Sequence, residues 1–543
     1  MGGVPRALLS LGLRLTLWVP GARSLEAVMS EVPQSLVTPD VIETHLGSLS
    51  FSDGAPAPET VETIRDHLDH VKALDGFINS HRGASVAAIQ KGLHSVGVED
   101  NDVIIYSELM DSKSLFLTGN ADTVYYMGFV DLSDGPMVVE TPPDALGVFD
   151  DMWFRHVIDF GRPGPDRGEG GRFLFLPADY DGPLPDSGFH VARVKTSRVL
   201  MLGRSFLHNN DDPAPTVAVI KDRLKIYPYT PGGYGSSIAT LLAGEVPFGG
   251  AQSESPQVRF VEGSGLAFNT IPPNDHTYFE LLNDLVQQEK PGALPAEPLG
   301  NLAALGIVHG EPFAPDERMQ RILAEAAALG TAAGRTLNFR SSGKIEQDWS
   351  FYPGSSWVNP LFIGGFSFDT PPPEVTPNGI EPHPLVGHKH VDARFSFFFI
   401  ATGITPAMCM RLTGVGSQYL LGMLDSESEY LDGSRTYKCT LPAGIPQANF
   451  WSMTVYDNQT RSMLQTDQRY PRAGSQSYPT PAAIPNEDGS TDIYFGPEPP
   501  AGKESNWIQT IPGKGWFSIL RLYSPLQPFF DKTWQAGEIE PID

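Results

Sequence analysis

The stretch QANFWSMTVYDNQT, residues 447–460, decides the fold of the C-terminal part of this chain. Its β-branched and aromatic residues are typical of strands. Related runs flank it: LDGSRTYKCTLPAGIP (431–446) precedes it, and NEDGSTDIYFG (486–496) and GWFSILRLYSP (515–525) follow it. Glycine, proline and aspartate separate these runs and favour turns. The pattern predicts a β-domain over residues 426–543.

Two rows of side chains alternate along this strand, because successive residues point to opposite faces. One row must pack between two sheets, and the other, with Tyr456, must face solvent or a groove. Trp451 and Trp507 are either core aromatics or stacking surfaces for a sugar or an apolar ligand. Asp457 and Arg521 adjoin apolar strands, where they either pair with each other or bind a charged ligand.

A second segment with strand-like spacing covers residues 100–207. Runs such as TVYYMGFVDL (123–132) and MVVETP (137–142) end at turn-forming residues, which predicts an antiparallel β-domain. Residues 56–97 have helical spacing instead and predict two helices separated near Ser80–Gly83. We therefore expect an N-terminal domain of helices and strands over residues 56–207.

Residues 208–425 are predicted to form a helical middle with a Pro/Gly-rich arm. TYFELLNDLVQQEK (277–290) and APDERMQRILAEAAALGTAAGRTL (314–337) are amphipathic, and residues 350–392 are rich in proline, glycine and aromatics. SFFFIATGITPAMCM (396–410) belongs to a helix that breaks before a proline. The predicted fold class is α+β, with two antiparallel β-sandwich or jelly-roll-like domains and a helical region between them.

Composition restricts the partners of the chain. Its 543 residues include 64 acidic and 38 basic side chains, for a net charge of −26. Nucleic acid and anionic membranes would be repelled by that charge. No segment has the ~20 uninterrupted apolar residues of a membrane span. Cys409 and Cys439 are the only cysteines, and whether they form a disulfide is open.

The first 55 residues carry weak signals for order. ALLSLGLRLTLWVPGA (7–22) is an apolar run behind Arg6, but Arg14 interrupts it. The segment is either a tail or a degraded export signal, which leaves a cytoplasmic and an exported location both open.

A first candidate site lies where a turn enters a strand. Asn120, Asp122 and Tyr125 either satisfy backbone groups of the turn or line the rim of a cleft and contact a ligand. A second candidate is MWFRHVIDF (152–160), which carries Arg155 and His156. His156 is either a core histidine or a catalytic base, since its ordinary titration range is close to neutral pH.

HPLVGHKHVD (383–392) is the cluster that most resembles a metal site. On an extended segment, His388, His390 and Asp392 share one face and can bind zinc or another divalent ion. The alternative is a polar loop in a proline-rich arm.

Several motifs match one family. GNADTVYYMGFVDLSDGPMVVETP (119–142) and GRFLFLPADYDGPLP (171–185) are similar to hallmarks of one domain of unknown function, number 1254. LDGSRTYKCTLPAGIPQANFWSMTVYD (431–457), NWIQTIPG (506–513) and FSILRLYSP (517–525) are similar to those of another, number 1214. The chain resembles the bacterial proteins that pair these two domains. The resemblance implies β-sandwich domains joined by helices, a homo-oligomer and frequent export, with no settled activity.

Two functions are consistent with these patterns. The first is a small-molecule hydrolase-like enzyme, with a site between the β-domains that includes Asn120, Asp122, Tyr125, Arg155 and His156. The second is a non-catalytic protein that binds a glycan or another protein through tryptophan and tyrosine surfaces. The sequence contains neither a Gly-x-Ser-x-Gly elbow nor a glycine-rich phosphate loop.

Overall fold

The computed structural model describes residues 32–247, 258–340, 349–376, 379–381 and 387–542. The chain divides into two compact units, the first ending at Leu68 and the second beginning at Asp69. Within the described residues the α-helices are α1 Pro58–Ser95, α2 Ala214–Arg223, α3 Ile238–Leu242, α4 Thr277–Gln288, α5 Ala296–Ala304, α6 Glu317–Phe339, α7 Val391–Ile400, α8 Pro406–Cys409 and α9 Gln527–Phe530.

Most strands belong to one of two β-domains, and the others form small separate sheets. In chain order they are β1 Val41–Thr44, β2 Gly47–Ser52, β3 Ala55–Pro56, β4 Val103–Ile105, β5 Ser114–Leu115, β6 Val124–Asp131, β7 Met137–Glu140, β8 Ala145–Asp151, β9 His156–Gly161, β10 Arg172–Pro177, β11 His190–Val194, β12 Arg198–Ser205, β13 Lys225–Pro228, β14 Phe260–Glu262, β15 Phe268–Asn269, β16 Trp357–Val358, β17 Glu374–Thr376, β18 Gly379–Glu381, β19 Ser417–Gly422, β20 Tyr437–Leu441, β21 Gln447–Asp457, β22 Arg472–Gly474, β23 Thr491–Gly496, β24 Trp507–Gln509, β25 Trp516–Pro525 and β26 Ile539–Pro541.

The first unit contains a small antiparallel sheet, β1-β2-β3. It occupies part of the predicted N-terminal tail, so residues 41–56 are ordered as strands. The signal-like run 7–22 lies outside the described residues.

The N-terminal β-domain packs two sheets face to face. The larger has the order β14-β4-β6-β12-β8-β9 and the smaller β11-β10-β7-β13. Aromatic rings fill the space between them: the centroid of Phe149 lies 4.6 Å from that of Phe175 and 5.5 Å from that of Phe173. Pairing is antiparallel except at edges, where β11 joins β10 and β14 joins β4 in parallel.

The C-terminal β-domain repeats this two-sheet arrangement. Its sheets have the orders β16-β19-β25-β21-β22 and β24-β23-β20-β26. Trp516 of the first sheet packs on Tyr437 and Phe495 of the second, with ring centroids 5.6 and 4.8 Å apart. The predicted α+β class is confirmed, and the strand orders give no support to the jelly-roll alternative.

Two local predictions are corrected. The expected break near Ser80–Gly83 is absent, because α1 runs continuously through it. Gly83 instead allows close packing, since a Cβ there would lie 2.5 Å from the Trp153 ring. The long arm predicted over residues 350–392 contains short elements, namely β16, two 3₁₀ turns, β17 and β18. The sequence left open whether Cys409 and Cys439 form a disulfide. In the structure, both cysteines are free thiols.

No helix among the described residues is both long and apolar enough to cross a membrane. Helices α4, α6 and α7 share one apolar core with α1 and the N-terminal β-domain. Glycines on α6 bring these helices close together. This core forms one wall of the space between the two β-domains.

Candidate functional site

Asn120 in the turn before β6 and Tyr125 on β6 line a cavity. The Asn120 Nδ2 donates to the Tyr125 hydroxyl at 2.7 Å, and the backbone N–H of Asp122 donates to Asn120 Oδ1 at 3.0 Å. Asn120 therefore stabilises the turn through a backbone N–H and also holds the Tyr125 hydroxyl at the cavity. The two roles considered for Asn120, satisfying the turn and lining a cleft, occur together.

The side chain of Asp122 points into the C-terminal domain. Its Oδ2 accepts hydrogen bonds from Ser452 at 2.6 Å and from Tyr523 at 2.9 Å. Its Oδ1 lies 2.8 Å from Nε of Arg472, and both side chains are fully buried. Buried charges need this kind of pairing, so Asp122 holds the two β-domains together rather than facing a ligand.

A cavity of about 130 Å³ lies between the two β-domains. Its volume is similar to that of a cavity that can hold a benzene-sized molecule. Strands β8, β12, β19 and β25, together with α7 and α8, supply the lining. Most of the wall is apolar and comes from Leu146, Val148, Leu202, Leu361, Phe397, Ile400, Met408, Leu421 and Ile519.

Two arginine–tyrosine pairs belong to the polar part of the lining. Arg204 on β12 lies opposite Tyr125 on β6, and Arg521 on β25 lies opposite Tyr419 on β19. All four side chains line the cavity. Each domain contributes one pair, and Arg204 Nη1 joins the pairs by donating to the Tyr419 hydroxyl at 3.4 Å.

The arginines of the cavity lack carboxylate partners among the described residues. Arg521 is 2% exposed, and its Nη2 donates to the carbonyl of Thr118 at 2.7 Å. Its Nε and Nη1 have no hydrogen-bond partner in the described part of the chain. The nearby carboxylate of Asp122 already pairs with Arg472. The site thus holds more positive than negative charge, which favours an anion.

The tyrosines respond differently to this charge. Burial raises the pKa of Tyr125, and the nearby Arg204 and Arg521 offset this only in part. Burial would also raise the pKa of Tyr419. There, however, the charge of Arg204, hydrogen bonds with Ser417 and Arg204, and the charge of Arg521 together lower the pKa below its ordinary value. Tyr419 is therefore the cavity hydroxyl that loses its proton most readily.

The structure separates the residues expected from the sequence into two groups. Asn120, Tyr125 and Arg521 line the cavity, and Tyr456 lies behind it, where its hydroxyl donates to the carbonyl of Gly119 at 2.6 Å. Neither Arg155 nor His156 lines the cavity.

Arg155 and His156 interact with neighbouring aspartates instead. Arg155 Nε contacts Asp151 at 2.5 Å, and its Nη2 donates to a backbone carbonyl at 2.6 Å. His156 Nε2 lies 3.3 Å from Asp159 Oδ1. The catalytic role of His156 stays a prediction, with its ring outside the cavity.

The remaining C-terminal candidates lie away from the cavity. Trp451 is buried in the core of the sandwich, and the Trp507 indole donates to the carbonyl of Gly496 at 2.9 Å. The expected pairing of Asp457 with Arg521 does not form: β21 and β25 place Trp516 opposite Asp457. Asp457 accepts a hydrogen bond from Lys514 at 2.6 Å instead.

The predicted metal ligands lie at the start of α7. The ring centroids of His388 and His390 are 5.1 Å apart, and the His390 ring bonds to the Thr370 hydroxyl. Among the described residues, no three His, Cys, Asp or Glu side chains are placed to hold a metal ion. His383 lies outside the described residues, and the divalent metal stays a prediction.

Arg204, Ser417 and Tyr419 are cavity residues that the sequence reading missed. A signal was present for Arg204, which interrupts the apolar run VLMLGRSFL (199–207) just as Arg521 interrupts FSILRLYSP (517–525). A single arginine inside a strand of core character needs a partner or a ligand. Ser417 and Tyr419 carry no comparable signal.

Comparison with known proteins identifies both β-domains. Residues 101–228 match the family described as "Protein of unknown function (DUF1254)", and residues 416–527 match "Protein of unknown function (DUF1214)". The chain thus pairs an N-terminal DUF1254 domain with a C-terminal DUF1214 domain, and the family assignment from its motifs is confirmed. No curated protein matches the chain.

The solved structures that match this chain include proteins from two organisms. The VPA0106 protein from Vibrio parahaemolyticus shares 18% identity, with a TM-score of 0.48 over 88% of this chain and 100% of its own. A putative uncharacterized protein from Burkholderia cenocepacia shares 13% identity, with a TM-score of 0.36 over 88% of this chain and 94% of its own. The homo-oligomeric state implied by the family resemblance stays a prediction.

Proposed function

We propose that this protein is a small-molecule enzyme of the hydrolase type, and that its cavity binds a compact apolar molecule that carries or acquires a negative charge. The observation behind the proposal is that neither Arg521 nor Arg204 has a carboxylate partner within the described residues, and that Arg521 keeps two unbonded nitrogens. A guanidinium group in an apolar wall is costly unless an anion satisfies it.

The size and lining of the cavity narrow the ligand further. About 130 Å³ accommodates a ring or a short chain, and the wall opposite the arginines is apolar. An aromatic or aliphatic carboxylate combines these properties, because its carboxylate can accept two parallel hydrogen bonds from a guanidinium. Pockets with this mixture of apolar walls and few polar groups are typical of small-molecule sites.

The alternative function, recognition of a glycan or a protein, has less support. It requires exposed aromatic surfaces, yet Trp451 and Tyr456 are buried. Trp507 is partly exposed, but its indole N–H is already bonded to the backbone. Two of the three aromatic residues predicted for recognition are therefore buried, and the third has no free indole N–H.

The proposal is tested with benzoate and benzamide, which have nearly the same shape and differ in charge. Thermal unfolding is followed at constant ionic strength with increasing concentrations of each compound. A ligand that binds the folded state raises the unfolding midpoint by mass action. We expect benzoate to raise it and benzamide to have little effect.

Two variants locate the binding. Arg521→Met removes the buried charge and keeps much of the side-chain volume, and we expect it to abolish the benzoate effect. Arg223→Met removes an exposed arginine of α2 and serves as the matched control. Equal responses to benzoate and benzamide, or an unchanged benzoate response in Arg521→Met, would contradict the proposal.

A further inference from the structure

Ser417 and Tyr419 form a hydrogen-bonded pair in the cavity wall. They are two residues apart on β19, so their side chains leave the strand on the same face. The Ser417 Oγ and the Tyr419 hydroxyl are 2.6 Å apart, and both residues line the cavity. A serine hydroxyl within hydrogen-bond reach of a group that can take its proton is the geometry of an activated nucleophile.

Two positive charges flank this tyrosine. Arg204 Nη1 donates to its hydroxyl at 3.4 Å, and the guanidinium carbon of Arg521 lies 5.9 Å from its ring centroid. Although burial opposes ionisation, these charges and the bond with Ser417 lower the pKa of Tyr419. Tyr419 therefore ionises more readily than an ordinary tyrosine, and its phenolate would lie next to Ser417, where it can accept a proton.

We propose that Ser417 is the nucleophile and Tyr419 its general base in the hydrolysis of small carboxylic esters. This inference rests on the proposed function, because hydrolysis of an ester yields a carboxylate, and the arginines proposed to bind a carboxylate would bind this product. The acyl group would lie against the apolar wall, with its carbonyl oxygen toward Arg521. The free Nε and Nη1 of Arg521 supply donors for the oxyanion that forms.

The reaction balances without an oxidant, reductant or metal. The Tyr419 phenolate takes the proton of Ser417 Oγ as this oxygen bonds to the ester carbonyl carbon. The resulting oxyanion collapses, the bond to the alcohol oxygen breaks, and Tyr419 returns the proton to the departing alcohol. An acyl group remains on Ser417.

Water completes the cycle. Tyr419 takes a proton from water as the water oxygen bonds to the acyl carbon, and this proton passes to Ser417 Oγ as the serine leaves. The acid product ionises and releases one proton. One ester and one water thus yield one carboxylate, one alcohol and one proton, with the enzyme unchanged.

A fluorophosphonate probe tests the nucleophile directly. Ser417 Oγ would bond to phosphorus and displace fluoride, which leaves a stable adduct on the peptide that contains residue 417. We expect one adduct per chain by intact mass and its location at Ser417 by peptide mass spectrometry. Ser417→Ala should not be labelled, and it should lower kcat/KM for p-nitrophenyl acetate by ~10³-fold or more.

Two further variants separate catalysis from structure. Ser518→Ala removes a buried serine of the neighbouring strand β25 that does not line the cavity, and it should keep both labelling and activity. Tyr419→Phe should lower kcat/KM by ~10²–10⁴-fold. In the wild type, kcat/KM should rise with pH as the tyrosine ionises, and this rise should be absent from Tyr419→Phe. A pH profile unchanged in Tyr419→Phe would overturn the role of the base.

The benzoate experiment distinguishes failure of this inference from failure of the proposed function. If benzoate stabilises the wild type and Ser417→Ala while the probe labels neither protein at residue 417, the Ser417–Tyr419 inference is wrong and the anion site stands. If benzoate does not stabilise the wild type, the proposed function is wrong. Benzoate binding by Ser417→Ala also shows that this variant is folded.

Discussion

Asp122 and Arg472 form an ion pair with no exposed side-chain surface, in which Oδ1 and Nε are 2.8 Å apart. The aspartate belongs to the DUF1254 domain and the arginine to the DUF1214 domain. The second carboxylate oxygen accepts hydrogen bonds from Ser452 and Tyr523, both of the C-terminal domain. This carboxylate thereby joins the two domains that supply the cavity lining.

Replacing this carboxylate should destabilise the protein strongly. Asp122→Asn leaves the Arg472 charge buried without its partner, and breaking a buried pair in this way costs roughly 3–5 kcal/mol. The free energy of unfolding in urea measures the loss. Asp144→Asn, which removes an exposed partner of Arg162, is the control and should have little effect. Similar losses in the two variants would contradict the prediction.

His81 should make the fold sensitive to acid. It is fully buried against aromatic rings, and neither ring nitrogen has a hydrogen-bond partner in the described part of the chain. Burial, and secondarily the charge of Arg461, lowers its pKa from 6.5 to about 3. The unfolded chain therefore binds a proton at this residue at a higher pH than the folded protein does.

The stability contributed by neutral His81 is present above pH 6.5 and is lost as the pH falls toward 3. Between pH 6 and pH 4, the wild type should lose ~1.4 kcal/mol more per pH unit than His81→Leu, the slope for one proton. Urea unfolding at several pH values measures the difference. Parallel curves for the two proteins would show that His81 does not titrate in this way.

Asp150 should have the opposite pH dependence. It is buried, and neither carboxyl oxygen has a hydrogen-bond partner among the described residues. Burial, followed by the charges of Asp151 and Asp159, raises its pKa well above the ordinary value of 3.8. Folding then favours the protonated acid, so its contribution is present at low pH and is lost as the pH rises.

Asp150→Asn keeps the shape of the side chain and removes the titration. We expect a similar unfolding midpoint for the variant and the wild type at pH 4, and a higher midpoint for the variant at pH 8. Scanning calorimetry at the two pH values gives both comparisons, and the measurement at pH 4 serves as the control. A variant that is less stable at pH 8 would contradict the assignment of a protonated Asp150.

Close helix packing at Gly330 gives a fourth prediction. A Cβ at this position of α6 would lie 2.2 Å from the Phe77 ring, so Gly330→Ala should destabilise the protein by roughly 1–3 kcal/mol. At Gly300 of α5, a Cβ would meet no atom within 4 Å, and Gly300→Ala should stabilise the protein by up to ~1 kcal/mol through helix propensity. Thermal midpoints with opposite shifts would confirm the contrast.

Local patterns were sufficient to predict much of the fold. The alternation in QANFWSMTVYDNQT (447–460) corresponds to β21, the longest described strand, and the turn motif at Asn120 leads into β6 as expected. Strands and turns depend on residues that are neighbours in the chain, so the spacing of apolar residues and the presence of turn-forming residues predict them from the sequence. The break expected near Gly83 failed because the requirement for glycine comes from Trp153, far along the chain.

The cavity residues were predicted less completely, because they are brought together by contacts between distant parts of the chain. Asn120 and Tyr125 were predicted because they lie where a turn enters a strand, and Arg521 because it is a charge in an apolar strand. Tyr419 became part of the site only through the register of β19 with β25, which places it opposite Arg521. Register between strands that are a hundred residues apart depends on tertiary packing, and a single sequence does not reveal it.

The contacts of Asp122 also have a consequence for biosynthesis. Its hydrogen-bond partner Tyr523 follows it by 401 residues, on the strand that completes the centre of the C-terminal sheet. While the ribosome is still adding those residues, the DUF1254 domain has a carboxylate whose native partners do not yet exist. Domains generally fold in the order of their synthesis. Here, however, the contacts of Asp122 are complete only after Tyr523 has been translated.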